Sequence, residues 1–142
     1  MDSLIYRYYV TFVLMEVKEV KIENLHNARK RIRDIGCDPK SIDIMAPKAV
    51  FRTLLIKDVH PIDAIIIKQD MLSLGGEVAI PKDVFERRDE KCKILVMGTL
   101  RQLKDLVGKL YRHHSRIKTI AKELEDFLEE EYEGSESRKK DL

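Results

Sequence analysis

Apolar positions along the chain fall into short blocks separated by glycine, proline and dense charge, and the spacing inside each block predicts an element. Val17, Val20 and Ile22 predict a short first strand. Behind Asn24, a good N-cap, Leu25, Ala28, Ile32 and Ile35 recur at helical intervals and predict a helix over 25–35. Gly36 ends that helix and Asp38-Pro39 forbids its continuation. Ile42 and Ile44 alternate as a second strand, and Val50, Phe51, Leu54, Leu55 and Ile56 mark a third, with Ala46-Pro47-Lys48 as the link.

The longest apolar run, Ile65 to Ile80, reads as a helix opened by His60-Pro61, closed by Gly75-Gly76 and followed at once by a strand at Val78-Ala79-Ile80. Pro81 ends the pairing of that strand. Lys93 to Met97 predicts the most hydrophobic strand. Gly98-Thr99 turns it into a helix over 100–111 with Leu100, Leu103, Leu106, Val107 and Leu110 inward. A last helix, from Ser115 to Tyr132, carries Ile117, Ile120, Ala121, Leu124, Phe127 and Leu128 on one face. Strands interleaved with helices in this way predict an α/β fold: a single-domain layered sandwich with a mixed sheet packed by about four helices.

That domain spans residues 15–132, between an apolar N-terminal extension (1–14) and a charged tail (133–142) expected to be disordered. Tyr8 to Met15 is apolar over only eight residues, too short to span a membrane, and no small-residue cleavage site follows it. One reading makes residues 1–14 non-native and Met15 the true start; the other gives their aromatic residues an added strand or an oligomer contact.

Composition narrows the class. With 142 residues, 44% of them hydrophobic, the chain is long enough for one real core. Charged residues reach 37% yet nearly cancel at +2, a balance that suits an ion-paired surface of thermophile-like character. A nucleic-acid partner is not expected from that balance, although Arg29, Lys30, Arg31, Arg33, Lys109, Arg112, His113, His114, Arg116 and Lys118 make locally basic stretches that keep RNA binding as a weak alternative. Cys37 and Cys92 make no disulfide framework and have no neighbouring ligands for zinc; they read as reduced thiols of a cytoplasmic protein.

The candidate chemistry is sparse. Lys68, Gln69 and Asp70 interrupt the apolar helix. Lys68 and Gln69 point about 100° apart; a desolvated Lys68 in a pocket would serve as a base, and a buried Gln69 would bond to neighbouring backbone. Gly75 and Gly76 are either a cap or a place where a ligand approaches the chain. Gly98, Thr99 and Arg101 resemble an anion site at a helix start, while Thr99 to Gln102 also forms a capping box. Lys48 and Arg52 are either charge for the same cleft or surface groups. His26, His60 and the adjacent His113-His114 lack the spacing of a metal pair, and no cofactor or metal is expected.

Three ordered blocks carry a resemblance: Ile44-Met45-Ala46-Pro47-Lys48-Ala49-Val50-Phe51-Arg52, then Ile67 to Ala79, then Val96-Met97-Gly98-Thr99-Leu100-Arg101-Gln102-Leu103. Together they resemble the extra N-terminal domain of the longer form of dihydropteroate synthase found in some bacteria, over roughly residues 17–130. That family's catalytic TIM barrel, which needs about 250 residues, has no counterpart here, so no catalytic residue transfers. The resemblance implies a stand-alone accessory domain. The expected function is a non-catalytic small-ligand-binding or interaction module linked to pterin and folate metabolism, with a small anionic ligand or a second copy as partner, no membrane, and Lys48, Lys68, Gln69, Gly75, Gly76, Gly98, Thr99 and Arg101 as the binding set. The alternative is a small enzyme acting on a phosphorylated or pterin-like compound through Lys68.

Overall fold

A computed structural model of the chain describes residues 14–140, with side chains as far as Gly134. The expectations for residues 1–13 and for the side chains of the charged tail lie outside the described residues. The chain runs irregularly from residue 15 to residue 24, then forms α1 (Leu25–Asp34), a 3₁₀ turn (Pro39–Ser41), the one-turn helix α2 (Ile42–Met45) and a second 3₁₀ turn (Ala46–Lys48). β1 (Phe51–Val59), α3 (Pro61–Ser73) and β2 (Glu77–Ala79) follow, and then β3 (Cys92–Thr99), α4 (Leu100–Leu110) and α5 (Ser115–Lys140).

The fold is α/β, with a three-stranded sheet in the order β1-β3-β2. β3 pairs antiparallel with both neighbours, Leu54 and Val78 each facing Val96. β1 and β2 therefore run the same way, joined by the α3 crossover, with β3 inserted between them as in a split β-α-β unit. The mixed sheet expected from the sequence is thus antiparallel at every described pair, because the crossover strands never touch. Ile94, Val96 and Val78 are buried under the helices, and the alternate residues Leu95, Met97 and Leu55 face the other way.

Two expected strands are absent. Residues 17–22 stay irregular with Val17 fully exposed, because Lys18, Glu19 and Lys21 leave too little apolar surface to hold an unpaired strand against the core. Ile42 and Ile44 lie in a helical turn instead. Asp38 accepts from the Lys40 amide to start the first 3₁₀ turn and Pro47 sits at the start of the second, so the backbone bends twice within ten residues. Ile42 and Ala46, one turn apart, are buried while Ile44 is exposed, a helical rather than an alternating pattern.

The remaining elements follow their local signals. The Asn24 side chain accepts from the Asn27 amide to cap α1. Leu100, Leu103, Leu106, Val107 and Leu110 form a continuous buried stripe on α4, packed with Ile117, Ala121, Leu124 and Leu128 of α5 in one core. Each such leucine, isoleucine or valine contributes about 1.5–3 kcal/mol when fully withdrawn from water. No helix among the described residues is long and apolar enough to cross a membrane.

Candidate functional site

Most of the sequence-selected residues meet at one corner, where α3, β2 and α4 converge. Gly75 takes φ +87°, the left-handed geometry a residue with a Cβ resists, and turns α3 sharply into β2. Met71, fully buried, reaches across that turn. A Cβ on Gly76 would lie 2.6 Å from the Met71 Cε, and one on Gly98 would overlap the same methyl. Gly76 and Gly98 are therefore glycine because the Met71 side chain passes between them. The corner is filled.

Its polar groups are equally committed. The Lys68 Nζ donates to Glu77 Oε1 at 2.9 Å and to the Val78 carbonyl at 2.7 Å, which ties α3 to β2. This ammonium, with help from the Val78 N–H, holds the Glu77 carboxyl below the usual carboxylate range. Thr99 accepts from the Gln102 amide at 3.1 Å, and the Gln102 Oε1 accepts from the Thr99 amide at 2.9 Å. Gln102 Nε2 also donates to the Leu74 carbonyl at 3.3 Å. The Leu100 amide donates to Val50 at 2.9 Å. Three amides at the start of α4 are thus engaged inside the protein, where an anion would otherwise find them. Arg101 turns along α4 to Asp105 at 3.1 Å, while Gln69 and Lys48 stand exposed. The structure brings Lys68, Gly75, Gly76, Gly98 and Thr99 into this corner and leaves Lys48 and Gln69 at the surface.

The other polar residues of α3 reach the opposite side. Asp63, only 1% exposed, accepts from Arg116 Nε at 2.9 Å and Nη2 at 3.1 Å, and His114 Nε2 lies 3.1 Å from its Oδ1. The fork holds the Arg116 guanidinium above its ordinary pKa. Asp70 meets His113 Nε2 at 2.8 Å, and Ser73 accepts from Lys109 at 2.7 Å. The adjacent histidines thus reach two different carboxylates, and no three metal-binding side chains converge among the described residues.

Beside Asp63 opens a groove of about 640 Å³. One wall is the whole of β1 from Thr53 onward, continued through His60 at the start of α3. The other is a helical stripe of α5 that runs from Arg116 through Ile120 and Leu124 to Phe127. At its far end Arg52 clamps β1 to α5, donating from Nε and Nη2 to Glu131 at 3.1 Å each and from Nη2 to the Glu23 carbonyl. Apolar side chains of both walls line the groove, Lys57, Asp58 and Glu123 stand among them, and Asp63, Arg116 and His60 are grouped at one end. None of the eight residues selected from the sequence lines it. Asp63 was missed, although a carboxylate one turn before Ile67 on the most apolar helix is a signal of a buried partner; the groove itself has no local signal.

Fold and site together define a small α/β domain with an open groove of apolar and charged lining. No known protein family's profile matches the chain, and no solved structure matches it. The bifunctional dihydropteroate synthase/dihydropteroate reductase of Helicobacter pylori is 27% identical over 114 residues, which is 80% of this chain and 29% of that protein. The chain therefore corresponds to less than a third of that relative.

Proposed function

We propose that this chain is a non-catalytic small-ligand-binding module of pterin and folate metabolism, the counterpart of the accessory domain of long dihydropteroate synthases, and that it binds in the β1–α5 groove. The observation that carries the reading is the division of labour in the geometry: the corner around Met71 is filled and its polar groups are bonded, while the groove is open and lined by apolar side chains with charged groups among them. Such a lining suits a flat heterocycle with an anionic tail, which dihydropteroate is. Phe127 offers a ring face. Arg116, half exposed, uses two of its five N–H donors on Asp63 and has others for a carboxylate. Isothermal titration with dihydropteroate tests this: wild type binds, and Phe127→Ala weakens binding about tenfold, the worth of one aromatic contact. Absence of binding to the folded wild type overturns it.

A second reading is supported by the two activities in the relative's name. A synthase barrel of about 250 residues does not fit in a matched segment of 114 residues, and this reading gives the segment to the reductase activity. On this reading the groove holds dihydropteroate beside a hydride donor. Turnover of dihydropteroate with a reduced nicotinamide or flavin supports it, and binding without turnover returns the assignment to the ligand module.

A further inference from the structure

β1 is the edge of the described sheet, paired with β3 on one side, and among the described residues nothing pairs with its other side. Consecutive residues Thr53 to Val59 all line the groove, those of both faces alike, so the open side of the groove is the strand's own free edge. An unpaired edge carrying Leu54-Leu55-Ile56 is a template for another strand unless something covers it. A bulge between Ile56 and Val59, with Asp58 at φ +59°, blunts only its C-terminal end.

We propose that β1 of a second copy covers this edge, making an antiparallel dimer centred on Leu55. A two-fold axis normal to the sheet places residues of the same face opposite each other, so a residue must sit at the centre. Centring on Leu54 would set Arg52 against Ile56 and Phe51 against Lys57. Centring on Ile56 would set Leu54 against Asp58. Centring on Leu55 sets Leu54 against the partner's Ile56 twice, under the helices, and Thr53 against Lys57 outside, with no charge facing an apolar group. The same axis keeps both α5 helices on one side of a six-stranded sheet. Each open groove is thereby closed by the partner's strand below and the partner's α5 beside it, giving one cavity lined by both copies. The pairing stands without any ligand; the shared cavity rests on the ligand reading above.

Leu55 provides the test, because it is 55% exposed on the face away from the core and tolerates replacement. Sedimentation of the full chain is expected to show a dimer. Leu55→Lys and Leu55→Glu, each checked for fold by circular dichroism, place like charges about 5 Å apart and weaken association more than about a hundredfold. An equimolar mixture of the two variants restores a heterodimer. A monomeric wild type overturns the proposal, including the outcome in which β1 amides are protected from exchange in a monomer, which would place residues of the same chain on the edge. Dissociation by both variants without rescue on mixing overturns the register and the proposal with it. Dihydropteroate titrated into monomeric Leu55→Lys and Leu55→Glu and into their heterodimer, whose grooves carry the same substitutions, separates the two readings. Equal affinities remove the shared cavity while leaving the ligand module, and affinity about tenfold higher in the heterodimer, as for a regained wall contact, supports both.

Discussion

The corner around Met71 and the groove along β1 are both touched by α3, the corner near its C-terminal end and the groove at Asp63 in its first turn, yet they differ in almost every physical respect. At the corner, α3 meets β2 and α4 at van der Waals contact, and the polar groups close on one another. At the groove, α5 stands off the free edge of β1 and leaves about 640 Å³ between them. Motif-like residues gather at the corner because tight turns need glycine, caps and tethers. The open surface gathers where the sequence is plain Thr-Leu-Leu-Ile. Conspicuous residues here mark constraint, and vacancy marks opportunity.

The contrast breaks most sharply at Met71. Met71→Ala opens a cavity in the corner and costs about 3–4 kcal/mol, read as a drop in the urea midpoint. Gly98→Ala alone costs about 2–3 kcal/mol by overpacking the same methyl. In the Met71→Ala background, however, Gly98→Ala costs markedly less, because the nearest atom it struck is gone and only the 3.0 Å approach to Gln102 Oε1 remains. Additive losses would show that Gly98 serves another purpose.

Asp63 lies between the two regions and comes next. Asp63→Ala leaves the Arg116 fork and His114 without their buried acceptor and costs about 2–3 kcal/mol, below the full penalty for a buried pair because Arg116 is half exposed and can turn to water. Thermal melts of Asp63→Ala and Arg116→Ala distinguish the partners. The arginine variant loses more stability, because it leaves the buried Asp63 carboxylate with only His114 beside it, and, on the ligand reading, it loses affinity as well.

How far these regions were legible in the sequence follows from the range of the interactions that make them. Asn24, Pro61, Gly75 and the Thr99–Gln102 box act within one turn, so the helices they bound were readable from neighbours alone. The Ile42–Ile44 pair was too short to tell alternation from a helical turn, and the capping Asp38 and Pro47 decided it. The insertion of β3 between β1 and β2 is non-local, and so the antiparallel sheet was not visible. The candidate set was drawn from punctuating residues, and the structure gives five of the eight a place at one filled corner. Asp63 and Arg116 lie 53 residues apart, and only the docking of α5 on the α3 start unites them. The groove is shaped by which edge of the sheet is left over.

Smaller effects sharpen the account at the corner's rim. Lys68→Ala strips the Val78 carbonyl of its donor and costs about 1–2 kcal/mol. Its pH signature is more telling. Glu77 has a folded pKa below its ordinary value of 4.5, held there first by Lys68. The resulting stability is present above the unfolded pKa and is lost as pH falls through the folded one. Wild type should therefore lose stability relative to Lys68→Ala as pH falls through the folded pKa of Glu77, and the gap between the two acid-unfolding curves should narrow there to the part owed to the Val78 carbonyl. Parallel curves would show that the pair is not linked to folding.

The central claim, that the corner is structural and the groove binds, meets its most direct test in one titration series: dihydropteroate against wild type, Lys68→Ala and Phe127→Ala, all at a temperature where each is folded. The account predicts that Lys68→Ala binds as wild type does, while Phe127→Ala binds about tenfold more weakly. The reverse pattern, affinity lost with Lys68 and kept without Phe127, would contradict it and return the site to the corner.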